Sequence, residues 1–247
     1  MWCNEMNDIK KQNGALCGSV HSFETLGALD GPGMRTVVFL SGCPMRCRYC
    51  HNPDTWEKNE KEVMTASEVF QKIKRMKPYF GKSGGITLSG GEPLLQTEFA
   101  TEVFRLCKED RIHTALDTSG AIVTEQTESL LKLTDLVICD IKHTDQDAFL
   151  DLTSYPMDSL LSFLELCKRL NKRLWIRQVI VPGITDNQEN ILKLKDMAKK
   201  YDAEKIELLP YHSHGVYKWE SLGIPYTLYG TKSPTEEEMK QLNELLK

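Results

Sequence analysis

The stretch TVVFLSGCPMRCRYCHNPDT, residues 36–55, joins a short apolar, β-branched run to a loop that holds Cys43, Cys47 and Cys50. The run has the length and composition of a strand buried on both faces. The cysteines follow it at the spacing C-x3-C-x2-C, so three thiolates can converge on one point. Structural zinc takes four protein ligands. A disulfide takes two cysteines. Cysteine thiolates hold iron–sulfur clusters, four to a complete cubane. A set of three leaves one iron with an open position, and an open position is where a metal centre does chemistry. The loop therefore reads as the seat of a [4Fe–4S] cluster with one iron reserved for a substrate or cofactor. Two other readings use the same residues: a zinc site of three cysteines and His51, or three unligated thiols.

Outward from this loop the strand pattern recurs. The runs are GITLS (85–89), HTALDT (113–118), LVICDIK (136–142), LWIRQVIVP (174–182) and KIELLPYH (205–212), with amphipathic segments between them. Thr65 with Glu68 makes a capping box ahead of Val69, Ile73 and Met76, and Ser233 with Pro234 and Glu236 makes another. Residues 157–171 place Leu160, Leu161, Leu164, Cys167 and Leu170 on one face, and 187–201 do the same with Ile191, Leu194, Ala198 and Tyr201. Segments near 96–109 and 124–133 complete the helices. Six strand–helix units in one order imply an α/β fold with a parallel sheet. A full eight-unit barrel takes about 250 residues, so six units suit this length better, as a partial barrel or an open doubly wound sheet. Either form gathers function at the C-terminal ends of the strands.

The chain has 247 residues, 40% of them hydrophobic, and a formal charge of −4. That supports a sizeable core and supplies no basic excess for binding phosphate. No apolar run approaches the ~18 residues of a membrane-spanning helix, and the N-terminus has no apolar signal core. A cytoplasmic protein is expected, in which the eight cysteines stay out of disulfides. Cys107, Cys139 and Cys167 read as buried small hydrophobes. Residues 1–17, with Cys3 and Cys17, read as a flexible polar leader ahead of one domain, 18–247.

The expected rim collects Cys43, Glu92, Asp117, Asp140, Lys142, Arg177 and His212. In SGGEP (89–93), Gly90 and Gly91 let a ligand approach the backbone, and Glu92 is placed to accept from an ammonium group; an ordinary strand-to-helix turn is the plainer reading. Asp117, Asp140 and Lys142 serve either a bound cation and ligand hydroxyls or an ion pair across adjacent strands. DGPG (30–33) is a turn sequence. His212 ends the last strand on the rim, and His214 reads as structural. A thiol redox protein would need a C-x2-C pair ahead of a helix; Cys47 and Cys50 have that spacing without that fold order.

CPMRCRYC resembles the signature of the radical SAM superfamily. The longer stretch HSFETLGALDGPGMRTVVFLSGCPMRCRYCHNPDTW, followed by SGGEPLLQ, HTALDTSG, LVICDIK, WIRQVIVPGITDN, KIELLPYH and KWESLG, is similar to the glycyl-radical-enzyme activating enzymes, in the branch acting on pyruvate formate-lyase. Activators with further clusters carry a cysteine-rich insert after the signature; here residues 52–65 hold no cysteine. The resemblance implies a partial (β/α)6 TIM-like barrel and a [4Fe–4S] cluster on Cys43, Cys47 and Cys50. S-adenosylmethionine would chelate the open iron. Tyr49 and His51 would flank its adenosyl part, and Gly90, Gly91 and Glu92 would receive its amine. Asp140, Ile141, Lys142 and His212 would complete the pocket, and Asp117 with Asp140 would hold a monovalent cation. Asp30 and Arg177 would meet the glycine loop of the partner, pyruvate formate-lyase. The protein would act as a monomer, reduced by a flavodoxin or ferredoxin, and would pass a hydrogen atom from the partner's glycine to a 5′-deoxyadenosyl radical. Activation of a different glycyl radical enzyme, or a zinc-stabilised binding module, is the alternative. The sequence departs from the family at Ser41, where glutamine is usual, in TSYPMD (153–158), a loop that could face the partner, and before Cys17.

Overall fold

The structure, a computed structural model, describes residues 11–12, 15–58 and 62–247. Six strands form its parallel sheet: β3 (Arg35–Leu40), β5 (Gly85–Gly90), β6 (His113–Thr118), β7 (Leu136–Asp140), β8 (Leu174–Ile180) and β9 (Lys205–Pro210). They lie side by side in chain order, and β9 ends the sheet without returning to β3. The six expected runs are these six strands, arranged as a partial barrel.

One element was not foreseen. β2 (Ala15–Gly27) pairs antiparallel with β3 and carries β1 (Lys11–Gln12) and β4 (Val63–Thr65) on its other side. Residues 15–17, expected in the leader, therefore begin a strand, and Cys17 is buried opposite Thr65. Polar residues interrupt the alternation of β2, so its pattern is weak; its pairing with β3 and β4 is what holds it. Cys3 and the rest of residues 1–10 lie outside the described residues.

The helices are α1 (Ala66–Met76), α2 (Thr97–Glu109), α3 (Thr127–Lys132), α4 (Gln146–Thr153), α5 (Asp158–Arg169), α6 (Gln188–Lys200), α7 (Val216–Ser221) and α8 (Glu236–Leu245). The expected box of Thr65 and Glu68 caps α1. The second box is shifted: Thr235 and Glu238 cap α8, because the Thr235 hydroxyl accepts from the Glu238 N–H while Ser233 lies two residues too early. One face of the sheet packs on the helices through Val38, Leu40, Ile86, Leu88, Leu116, Val137 and Ile176, joined by Cys107, Cys139 and Cys167, all buried as expected. Among the described residues no helix is long and apolar enough to cross a membrane.

The opposite face differs, because side chains two residues apart on a strand share a face. It has an apolar floor of Ala115, Leu136, Ile138 and Trp175. Toward the C-terminal ends stand Ser89, Asp117, Asp140, Arg177 and Glu207. Toward the N-terminal ends Arg35 is fully buried and donates to Thr87 Oγ1 at 2.7 Å and to the Pro32 carbonyl at 2.9 Å. Thr87 in turn donates to the Asp30 carbonyl at 2.6 Å, so the DGPG loop is pinned across this face.

Arg35 also lies 3.2 Å from His113 Nδ1. Burial, then the Arg35 charge, depress the His113 pKa from 6.5 to about 4. Above pH 6.5 both folded and unfolded chains are neutral there, and the fold keeps its full stability. Between pH 6.5 and about 4 the unfolded chain binds a proton that the folded one refuses, so stability falls with pH. His113→Gln is expected to flatten that acid-side loss, read from urea unfolding midpoints across the window; an unchanged slope would remove His113 from the balance.

Candidate functional site

The cysteine loop leaves β3 and is fastened on every side by backbone hydrogen bonds. Gly42 N–H donates to the Thr55 carbonyl at 2.7 Å, and Cys43 N–H to that of Trp56 at 2.9 Å. Arg46 and Arg48 N–H groups donate to the carbonyls of Thr153 and Leu152 at the end of α4, at 2.7 and 2.9 Å. The atypical stretch 153–158 thus backs the cysteine loop at its first residue. The indole N–H of Trp219, on α7, donates to the Cys50 carbonyl at 2.8 Å.

None of the three thiols is in a disulfide; Cys47 is buried, and Cys43 and Cys50 are half-buried. Burial raises all three pKa values. Cys47 also charges against Cys43, Cys50 acts on both of the others, and the Cys47 value reaches about 12 despite the nearby Lys142 ammonium. The Trp56 side chain bonds the Cys50 thiol and works the other way. Three thiols that sense one another cannot all ionise without positive charge among them, and iron supplies that charge. Among the described residues no three Cys, His, Asp or Glu side chains gather tightly enough for a single metal ion. A cluster makes a different demand, since each thiolate takes its own iron. Two polar atoms beside the thiols, Tyr49 Oη and His212 Nδ1, are buried without a partner. This donor set suits an iron–sulfur cluster with a polar organic ligand next to it.

His51 stacks on His212 with ring centroids 3.9 Å apart, and its Nε2 lies 3.1 Å from the His212 carbonyl. Burial, then the neighbouring His212, lower the His51 pKa to about 4 and keep the ring neutral. His214 joins the stack at 4.5 Å. Lys142 sits 5.8 Å from the Tyr49 ring centroid and pairs with Asp140 at 2.8 Å. Burial opposes the Lys142 charge, but Asp140, Tyr49 and Cys47 outweigh it and the amine stays cationic. Ile141 is fully buried next to this pair.

Gly90 and Gly91 have a reason for lacking side chains other than the one expected. A Cβ on Gly90 would lie 2.4 Å from the Leu40 nitrogen, and one on Gly91 would lie 2.3 Å from the Gly42 carbonyl oxygen. The glycines let the end of β5 press against the start of the cysteine loop. Glu92 is fully buried, and its carboxylate accepts from Leu94 N–H at 3.0 Å, Thr118 Oγ1 at 2.6 Å, and both the N–H and hydroxyl of Ser119. Thr118 and Ser119 lie in HTALDTSG, yet spacing alone gave them no role.

Arg177 is buried and gathers charge from two strands and a loop. It meets Glu207 at 3.0 Å, Asp30 at 3.4 Å and Asp117 at 3.8 Å, and donates to the Leu29 carbonyl. Asp117 also accepts from Ser89 Oγ at 2.7 Å. Burial, then Asp140, push the Asp117 pKa up to about 7. Asp30 and Arg177, each expected to meet the partner's glycine loop, are here bound to one another as an internal ion pair next to the exposed Leu29.

This architecture has relatives. The sequence profile of the radical SAM superfamily matches residues 37–194. A pyruvate formate-lyase-activating enzyme from Clostridium pasteurianum is 47% identical over 94% of this chain and 98% of its own length. One from Staphylococcus epidermidis is 44% identical over 92% of this chain and 94% of its own length. Streptococcus suis SuiB, crystallised with its precursor peptide SuiA, matches with a TM-score of 0.67 at 18% identity, over 84% of this chain and 44% of SuiB, which bears on the fold alone. The chain belongs to the radical SAM superfamily and, within it, to the family of pyruvate formate-lyase-activating enzymes.

Proposed function

We propose that this chain activates pyruvate formate-lyase by placing a glycyl radical on it. The observation that carries the reading is identity of 47% along nearly the whole length of both chains, with the three-cysteine loop in place. The radical SAM domain extends from the β2 edge to α8, well past the superfamily profile. Cys43, Cys47 and Cys50 are the ligands of a [4Fe–4S] cluster. When bound, the cluster supplies the electron for reductive cleavage of S-adenosylmethionine, and the resulting radical chemistry takes hydrogen from a partner glycine.

The chain's own groups place and shield that chemistry. Tyr49 and the His51–His212 stack offer flat walls and unpartnered polar atoms to the adenosyl group. Lys142 and Ile141 close the pocket beside them. The methionine amine would meet the Gly90–Gly91 backbone; Glu92, expected to receive it too, is fully buried and accepts four internal hydrogen bonds, so it braces that turn instead. Asp117 and Asp140 offer oxygens to a monovalent cation, with Arg177 and Lys142 balancing the remaining charge. Asp30 and Arg177 present the DGPG loop to an extended glycine segment of the partner. A reactive primary radical attacks most C–H bonds, so product identity depends on that placement. The donor of electrons is a flavodoxin or ferredoxin, the chain acts as a monomer, and the compartment is the cytoplasm, where thiols stay reduced.

The test is anaerobic electron paramagnetic resonance on the iron- and sulfide-reconstituted protein, reduced and mixed with S-adenosylmethionine and pyruvate formate-lyase. A persistent glycyl doublet with 5′-deoxyadenosine is expected. A cluster signal that responds to S-adenosylmethionine without a doublet would redirect the search to another glycyl radical enzyme. Zinc in place of iron would return the loop to a binding module. Cys43→Ala, Cys47→Ala and Cys50→Ala should each abolish 5′-deoxyadenosine formation; full cleavage by Cys47→Ala would sink the assignment. Asp30→Ala should keep cofactor cleavage while lowering glycyl radical yield by about 10-fold or more, through lost placement; equal losses of both would put Asp30 in the cofactor pocket instead.

A further inference from the structure

Two tryptophans meet at the cysteine loop from distant parts of the chain. Trp56 lies six residues past Cys50, and Trp219 lies on α7, beyond the last strand. Their rings are in edge-to-face contact, with centroids 5.0 Å apart and planes at 86°. Both are buried, at 8% and 4% exposure. Through main-chain groups each holds a different cysteine, and the Trp56 side chain also bonds the Cys50 thiol. The Trp56 carbonyl accepts from Cys43 N–H at 2.9 Å, and the Trp219 indole donates to the Cys50 carbonyl at 2.8 Å. The first and third cysteines are therefore joined through a ring–ring contact outside the loop's own backbone.

Neighbouring groups stiffen the contact. The Arg46 guanidinium lies 4.9 Å over the Trp56 ring and donates to the Cys43 carbonyl at 2.6 Å. Tyr226 packs edge-on behind Trp219 at 5.1 Å. Lys218, next to Trp219, reaches Asn52 Oδ1 at 2.8 Å and Asp54 at 2.9 Å, which fixes the turn between Cys50 and Trp56. Indoles give large rigid surfaces with one polar handle. Here the surface excludes water from the Cys50 side of the loop and the handle orients the Cys50 peptide.

We infer that Trp56 and Trp219 form an indole bracket that sets the separation of Cys43 and Cys50 and shields that end of the cluster, which makes both of them positioning residues for the iron–sulfur ligands. The inference rests on the reading of the loop as a cluster seat. Groups that orient metal ligands from behind control metal retention, and their loss typically costs 10–100-fold. No contact to the reacting atoms is involved.

The experiment compares wild type, Trp219→Phe, Trp56→Phe and Lys218→Met after anaerobic reconstitution. The readouts are iron content, visible circular dichroism, which reports ligand conformation, and the rate of iron loss to excess EDTA. Trp219→Phe keeps a ring and loses the N–H donor, so it is expected to bind the same iron, shift the visible dichroism, and lose iron about 10-fold faster. Trp56→Phe should shift the dichroism as well. Lys218→Met loosens the turn between Cys50 and Trp56 while keeping both indoles, so it should shift the dichroism clearly less than Trp219→Phe. A holo Trp219→Phe protein with wild-type dichroism and an unchanged rate of iron loss overturns the bracket while leaving the cluster intact. A matching change in Lys218→Met also overturns it, by showing that any loosening of α7 suffices. A wild-type protein that takes up no iron and sulfide overturns the cluster seat, and the bracket with it.

Discussion

A buried carboxylate holds the rim of this sheet together. Glu92 follows β5, has no exposure to solvent, and accepts four hydrogen bonds from Leu94, Thr118 and Ser119. A buried charge is tolerated only when its acceptor positions are filled. The Glu92 N–H at the same time donates to the Gly42 carbonyl at 2.8 Å, one residue before the first cysteine. The ends of β5 and β6 and the start of the cysteine loop are thus fixed relative to one another through one residue. Gly90 and Gly91 make the close approach sterically possible. The geometry of the thiols follows from this seam, because Cys43 has no freedom to leave the end of β3.

Charge on the helix-free face obeys the same logic on a larger scale. Asp30, Asp117, Asp140 and Glu207 would repel one another if they stood alone in a partly buried layer. Arg177 and Lys142 counter them, and burial strengthens each attraction because little water screens it. Removal of one partner from such a set costs more than its presence contributes, since the remaining charge is left uncompensated. Arg177 therefore has two roles: it neutralises the layer and it holds the Leu29–Asp30 backbone across the sheet. The loop named by its turn residues DGPG is ordered by that cation.

The parallel sheet was legible because each of its strands has a short apolar centre, although the inner strands are buried on both faces and β9 at the edge is largely exposed. The cysteine triplet was legible from spacing. β2 was not, because residues 17–20 are buried on both faces while residues 21–26, with His21, Ser22, Glu24 and Thr25, are half-buried or exposed, and its pairing with β3 and β4 is what holds it. The α8 cap was misplaced by two residues because Ser233 and Thr235 are chemically equivalent as caps, and the backbone alone decides between them. The glycines of SGGEP were legible as a close approach, but the approaching group is the protein's own backbone. Glu92 was legible as an acceptor; its donors, Thr118 and Ser119, come from a different strand end and share no local pattern with it.

The segment beyond the superfamily profile completes the site. The profile ends at residue 194, yet the His212 ring lies on His51, the Trp219 indole holds the Cys50 carbonyl, and Lys218 grips Asn52 and Asp54. These contacts all fall on the stretch that immediately follows the third cysteine. The N-terminal cysteines instead depend on β2, β5 and α4 within or before the profile. The loop is therefore held at its first half by the barrel common to the superfamily and at its second half by a cover contributed after β9. A barrel without that cover would leave the Cys50 carbonyl and the His51 ring open to water.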